Sequence, residues 1–500
     1  MLGTITYVLC MMLAIVILCF FPEIATWLQD HLMAAAADEG PGRLDGPAMN
    51  VSFFGELLQT ISERSRALLA RNRRVEASVR SESLVELCEH LLSGRGEASG
   101  VARAREILAR YSELTIGPRI AFVEALSQRF GPDRARMEAA IAAWRDKPSD
   151  ETVAEVHAAS EPRRQELFRR LNLAPGGTAA LVRMREQLMD VLAHRNDLIA
   201  VDDDFVHLFS SWFNRGFLVL RRIDWSTPAI ILDKIIRYEA VHEISDWQDL
   251  RRRIEPPDRH CYAFFHPAMV DEPLIFVEVA LTREIPNAIA PILSPAREVM
   301  ESEKMRTATF YSISNCQRGL AGVSFGNFLI KQVVEEISRV LPKLSTFVTL
   351  SPVPSFTTWL ARERAQESSI ALSKTEKATL AALDTPGWWR NAEAAARLQD
   401  PLLRAAAWYF LRARDRRGFP ADAVARFHLG NGARLERINW LADTSDKAMA
   451  QAHGLMVNYQ YDLDDIEKNH EAYAEGRAVV ASGAVQRLSR AALDLVPGTR

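Results

Sequence analysis

The sequence predicts an α+β protein, an N-terminal all-helical bundle followed by a mixed α/β domain. Three observations carry this. Across residues 51–204 apolar residues recur at helical spacing, and β-branched runs are nearly absent. Residues 274–281 read LIFVEVAL, a strand with Glu278 as its one charge. Residues 311–356 read as a strand, a glycine-bearing turn, an amphipathic helix and a second strand ending at Ser351-Pro352. A strand–helix–strand unit of that length is a crossover, so part of the sheet is parallel. A chain of 500 residues also exceeds one ordinary core, which makes two domains the default.

Taken in order, residues 1–32 are an apolar segment and residues 33–50 a low-complexity linker. No charged residue occurs from Met1 to Pro22, a run long enough to span a bilayer. Three readings stay open: a membrane anchor, a signal peptide, or an extension translated from an upstream start. A signal peptide ordinarily begins with Lys or Arg, and none precedes this run. Met33 and Met49 can each serve as an initiator.

The helical domain is expected over residues 51–204. Its apolar faces are Phe54, Leu57, Leu58 and Ile61, then Leu84, Leu87, Cys88 and Leu91, then Ile107, Leu108 and Tyr111. Breaks are expected at Gly94, Gly100, Gly117-Pro118, Gly131-Pro132 and Pro175-Gly176-Gly177. Acids are interspersed among its many arginines, which describes a solvated helical surface rather than a nucleic-acid site. The net charge of -3 gives no support to a nucleic-acid partner either.

The texture changes after Phe205, and residues 205–500 form the second domain. Apolar runs at 217–220 and 262–265 precede LIFVEVAL, and the turn HPAMVDEP joins the latter two as a hairpin. Strands at 309–313 and 347–350 flank the amphipathic helix, whose apolar face is Leu329, Ile330, Val333, Ile337 and Leu341. A helical segment from about 376 to 414 follows, then the compact FHLGNGARLERINWLAD and the aromatic VNYQYDL.

Several chemistries have no signature here. The five cysteines (Cys10, Cys19, Cys88, Cys261, Cys316) are scattered, without CxxC spacing, so neither zinc nor a disulfide framework is indicated and a reducing compartment fits. No HxH, HExxH or carboxylate cluster has metal-ligand spacing, so no metal is assigned. There is no Walker loop or GxGxxG.

What remains is the crossover unit. Gly319, Gly322 and Gly326 precede the helix, where free N–H groups at a positive helix end suit a phosphate or pyrophosphate. They serve equally well as permission for a tight turn. Arg318 and Lys331 add charge to such a site or are simply solvated. Ser351 ends its strand, and Pro352 stops the strand from continuing. Its hydroxyl is then either a fixed functional group or a loop cap. His428 in RFHLGNGA stands before Gly430-Asn431-Gly432, a turn with little bulk around it. His266 and His207 read as structural, and Tyr459 or Tyr461 can reach a site from an aromatic stretch that otherwise reads as core.

The blocks GFLVLRRIDW, DEPLIFVEVALT, FYSISNCQRGLAGVSFGNFLIKQVV, FVTLSPVPSFTTWL, AWYFL, VARFHLGNGARLERINWLAD and HGLMVNYQYDL, in that order, resemble the malonyl-CoA decarboxylase family. The resemblance runs from Gly216 to the end, and the preceding helical region suits the family's N-terminal helical domain. It implies a catalytic domain with the acyl-CoA N-acetyltransferase (GNAT-like) fold, in which a turn before a central helix holds the CoA pyrophosphate. On this chain that turn is Ala321, Gly322, Val323, Ser324, Phe325, Gly326 and Asn327. The resemblance implies a catalytic serine at Ser351, a catalytic histidine at His428 and a functional tyrosine at Tyr461. One departure is Ser324, where vertebrate members carry a glutamate.

The implied activity is conversion of malonyl-CoA to acetyl-CoA and CO2 through a thioester enolate, with no metal or organic cofactor. The family further implies a homo-oligomer. Two other readings are an acyltransferase that uses CoA as donor and a non-catalytic, membrane-tethered helical scaffold. A cytoplasmic location is expected, or a membrane-anchored one with a cytoplasmic catalytic domain if residues 1–22 are a real anchor.

Overall fold

The structure is a computed structural model that describes residues 83–494 apart from 95–96, 302–303, 324 and 326–328. The apolar run at 1–22, the linker, the helices expected over 51–82, and Ser324, Gly326 and Asn327 all lie outside the described residues. Among the described residues eight helices come first: α1 (Leu84–Ser93), α2 (Glu97–Glu113), α3 (Ile116–Arg129), α4 (Arg134–Asp146), α5 (Asp150–Ser160), α6 (Arg163–Asn172), α7 (Gly177–Leu192) and α8 (Ile199–Trp212). Ser83 starts α1 with a capping box, its hydroxyl taking the Glu86 N–H while the Glu86 carboxylate takes its own. Asp133 and Ser149 cap α4 and α5 through their side-chain oxygens.

Two expected breaks are absent. Gly100 lies inside α2, where an added Cβ would only touch Leu91 at 3.9 Å, so helix continuity there has no steric obstacle. Gly117-Pro118 lies in the first turn of α3, where a proline withholds an N–H that has no intrahelical acceptor anyway. Phe205, where the sequence changes texture, is a buried residue within α8.

The second part is built on one eight-stranded sheet. Its elements are β1 (Val219–Ile223), α9 (Ala229–Tyr238), α10 (Trp247–Ile254), β2 (Arg259–Phe265), β3 (Pro273–Thr282), α11 (Ala290–Leu293), β4 (Thr307–Asn315), α12 (Leu329–Val340), β5 (Thr346–Thr349) and β6 (Ser351–Pro352). Then come α13 (Phe356–Ala365), α14 (Lys374–Leu380), α15 (Ala392–Arg412), α16 (Ala423–Gly430), β7 (Arg434–Asn439), α17 (Asp446–Ala452), β8 (Met456–Tyr461), α18 (Ile466–Gly476) and α19 (Gly483–Asp494). The strand order is β1-β2-β3-β4-β5-β8-β6, with β7 on the other side of β8.

The hairpin of β2 and β3 and the parallel β4–α12–β5 crossover are both present as expected. β2 and β3 are buried on both faces, which is why LIFVEVAL is continuous rather than alternating. α12 buries Leu329, Ile330, Val333, Val334 and Ile337 against one face. That core also takes in Leu87, Phe168, Leu181 and Phe205, so helical region and sheet share it. The one charge of β3, Glu278, is fully buried and meets Arg253 Nη1 at 3.2 Å. Arg253 also donates to the carbonyls of His242 and Glu243, each at 2.8 Å, and so holds the loop beside the site.

Two features were not expected. ARLERIN and MVNYQY are strands β7 and β8, and β8 is a hub that pairs with β5, β6 and β7. Phe347 and Val348 face Tyr461 and Gln460, while Ser351 and Pro352 face Val457 and Met456, so β5 and β6 keep one register along β8. Between them side chains replace the ladder. Thr349 Oγ1 accepts the Tyr459 N–H (3.1 Å), and Asn458 Nδ2 donates to the Thr349 carbonyl (2.7 Å). No helix among the described residues is long and apolar enough to cross a membrane.

Candidate active site

The parallel pairing of β4 with β5 ends at Phe310 and Thr349, with one more bond from Leu350 N–H to the Phe310 carbonyl (2.9 Å). Beyond it, β4 continues beside β3 to Asn315, whereas β6 follows β8. The divergence opens a cavity of about 270 Å³ with Phe310, Ile313, Val424 and Phe427 as apolar walls and Asn315, Ser351 and His428 as polar groups. Among the described residues no Lys, Arg, Asp or Glu lines it. A second cavity of about 520 Å³ runs along the turn after β4 and shares Asn315 and Phe427 with the first.

His428 sits in the last turn of α16, a helix of 8 residues whose start is fixed by Asp422 accepting the Ala425 N–H at 2.8 Å. Its ring stacks on Tyr459 with centroids 4.5 Å apart. Nε2 lies 3.1 Å from Ser351 Oγ, and Nδ1 lies 2.8 Å from the Tyr461 hydroxyl. The Ser351 hydroxyl donates to Thr349 Oγ1 at 2.8 Å. With that proton committed, Nε2–H donates to Ser351, and Nδ1 accepts from Tyr461. The proton positions follow from this donor–acceptor pattern. Burial alone pushes His428 down to about 3, so the ring is neutral at ordinary pH. Burial also holds the Tyr461 phenol well above its usual range, which keeps it a donor.

Other histidines share that environment. His242, His260 and His453 are each pushed down to about 4, first of all by burial. Between pH 6.5 and about 4 the unfolded chain therefore binds protons that the folded chain refuses. Stability falls as pH falls through that window, by up to about 1.4 kcal/mol per pH unit for each such group. The melting temperature is expected to drop steadily from pH 7 to pH 5, and a flat profile across that range would contradict these assignments.

The structure thus brings Ser351, His428 and Tyr461 together. Ala321, Gly322, Val323 and Phe325 line the second cavity, at the turn rather than beside the histidine. Gly322 has φ +78°, and an added Cβ there would meet nothing within 4 Å. Gly319 serves a different purpose, since an added Cβ would lie 2.0 Å from the Val182 carbonyl of α7. It permits helix contact rather than ligand approach. Arg318 pairs with Asp190 and Lys331 with Glu467, so both charges have protein partners.

The turn after His428 is crowded, contrary to expectation. Gly432 has φ +83°, and its Cβ position lies 2.2 Å from the Ile466 carbonyl of α18. His266 is structural, with ring nitrogens engaged by the Trp212 carbonyl and the Ala268 N–H. Residues not singled out from the sequence are Thr349, Asn315 and Arg185. Thr349 is within reach of sequence reasoning, because residues two apart on a strand share a face and Ser351 is two residues on. Arg185, 3 % exposed on α7, donates to the carbonyls of Gly319 and Ala321, a contact no local spacing announces.

A helical region followed by a mixed sheet that splits beside a turn and helix, with a cavity at the split, defines an α+β enzyme. The family model "Malonyl-CoA decarboxylase C-terminal domain" matches residues 216–496, and "Malonyl-CoA decarboxylase N-terminal domain" matches residues 130–213. The chain belongs to the malonyl-CoA decarboxylase family. The mitochondrial malonyl-CoA decarboxylase of Anser anser anser is 37% identical over 417 residues, covering 76% of this chain and 82% of that protein. The crystal structure of malonyl-CoA decarboxylase from Rhodopseudomonas palustris has 60% identity and a TM-score of 0.79, covering 81% of this chain and 98% of its own. That from Agrobacterium vitis has 57% identity and a TM-score of 0.78, covering 81% and 99%.

Proposed function

We propose that the chain decarboxylates malonyl-CoA with Ser351 and His428 at the malonyl end, Tyr461 holding the histidine, and the turn of residues 321–327 taking the CoA pyrophosphate. The observation that carries this reading is the uncharged cavity with a neutral, fully buried His428 at its wall. A malonyl carboxylate entering it finds no cation among the described residues, so loss of that charge as CO2 is favoured. Before it leaves, the carboxylate raises the proton affinity of His428, because a nearby opposite charge favours the charged imidazole. The substrate thereby draws in the proton that the product needs.

The bond between the α-carbon and the carboxylate then breaks, and its electron pair stays on the α-carbon, delocalised onto the thioester oxygen. The proton held by the Ser351–His428 pair passes to that carbon, giving acetyl-CoA and a neutral histidine. Asn315, which lines both cavities and has a side-chain amide without a hydrogen-bond partner among the described residues, stands where the thioester crosses from one to the other. A donor aimed at such an enolate oxygen contributes about 3–4 kcal/mol in comparable sites. No step calls for a metal or organic cofactor.

The test is incubation of the purified chain with malonyl-CoA and a chelator, with and without added amines. Acetyl-CoA and CO2 should appear in equal amounts and independently of the amine. Free CoA released only when an amine is present would favour the acyltransferase instead. The same reading keeps the division into a helical part, residues 51–204, and a catalytic part, residues 205–500. Self-association through the helical part is supported by exposed apolar side chains there, Ile116, Trp144 and Val153 among them. The free, buried Cys88, Cys261 and Cys316 suit a reducing compartment such as the cytoplasm.

A further inference from the structure

We infer that the helical region is part of the CoA-binding apparatus, with Arg185 as the positioning residue of the turn. This rests on the turn being the pyrophosphate site. Arg185 Nη1 lies 2.8 Å from both the Gly319 and Ala321 carbonyls, while Nε and Nη2 engage the Asp202 carboxylate at 2.8 and 3.3 Å. Asp202 satisfies the charge of Arg185, so the guanidinium acts behind the turn as a clamp rather than as a partner for the ligand.

The clamp sets the direction of a peptide. A trans peptide points its carbonyl and the following N–H to opposite sides, and the described residues contain no cis bond. With the Ala321 carbonyl turned onto Arg185, the Gly322 N–H points away from α7. No acceptor among the described residues takes that N–H, whereas the N–H groups of Ala321 and Val323 are used within the turn. Gly322 lines the second cavity and carries no Cβ to cover it. A donor so placed suits a phosphate oxygen.

Three further contacts hold the turn to the same helices. Gly319 lets its backbone reach the Val182 carbonyl of α7. Arg318 pairs with Asp190 of α7 at 2.6 Å. Phe325 meets Phe213, just past α8, edge to face with ring centroids 6.5 Å apart. The turn is therefore seated on the helical region at both of its described ends.

The experiment compares CO2 release from malonyl-CoA and from malonyl-pantetheine, which lacks the nucleotide and pyrophosphate. Arg185→Ala is expected to lower kcat/KM at least tenfold more for malonyl-CoA than for malonyl-pantetheine, with the difference in KM. Arg185→Lys keeps the charge beside Asp202 but lacks the fork that bridges both groups. It should show the same discrimination at about threefold, and it carries the test should Arg185→Ala fail to fold. Equal losses on the two substrates, or no loss on either, would overturn the inference. A wild-type chain that releases no CO2 from malonyl-CoA would instead sink the functional reading beneath it.

Discussion

Replacing His428 or Ser351 with alanine is expected to lower kcat by a hundredfold to ten-thousandfold, the range for a positioned proton donor. Affinity for CoA should stay within about twofold, because both side chains face the smaller cavity and neither lines the one along the turn. The two variants should lose similar amounts, since each breaks the single chain from Tyr461 through His428 to Ser351. Residues that act as a unit do not add, so the double variant should be hardly slower than either single one. Stability separates them. Ser351→Ala removes one donor to Thr349, whereas His428→Ala empties the space under the Tyr459 ring and leaves the buried Tyr461 hydroxyl without its partner. A buried hydroxyl left unpaired costs about 1–3 kcal/mol, so His428→Ala should also melt lower. Near-native turnover in either variant would contradict the proposed pair.

Gly432→Ala is expected to cost about 3 kcal/mol of stability and to lower kcat as well, although Gly432 lies outside the cavity. Two penalties combine: a side chain at φ +83°, and a Cβ placed 2.2 Å from the Ile466 carbonyl. That carbonyl is backbone and cannot rotate away, so α16 and α18 must separate. Their junction is otherwise tight, with His470 on the Gly430 carbonyl (2.8 Å) and Asn469 Nδ2 on the Gly432 carbonyl (3.3 Å). Relief by moving α16 carries His428 with it, and a hydrogen bond lost by an ångström is lost for proton transfer. Thermal melts and kcat measured on one preparation check both halves. An unchanged melting temperature would mean that the junction is not the rigid mount described.

The parts of this fold that were legible in the sequence are those whose partners are near in the chain. LIFVEVAL and its hairpin mate, and the β4–α12–β5 crossover, follow from apolar runs bounded by turn residues. β7 and β8 are close in the chain, but MVNYQY alternates poorly, and the role of β8 as a hub was not legible because β5 and β6 lie about a hundred residues earlier. Ser351 was visible as a strand end, but whether it capped a loop or faced a site depended on where β4 and β5 part. The glycines show the same limit. Gly319, Gly322 and Gly432 look alike in sequence, yet one meets α7, one faces open space and one meets α18. Arg185 reads as one more helix-surface arginine until its carbonyl partners, 134 and 136 residues away, are in view.

On the proposed mechanism His428 is neutral in the free enzyme and gains its proton affinity from the incoming carboxylate. It is tested by NMR on the chain with labelled histidine, with His428→Ala used to assign the signal. Spectra are taken across pH 5–8, with and without a thioether analogue that keeps the carboxylate but cannot lose it. A neutral ring is expected throughout that range in the free protein, and a protonated fraction once the analogue is bound. A His428 that titrates near 6.5 without ligand, or one that stays neutral with the analogue in place, would contradict it.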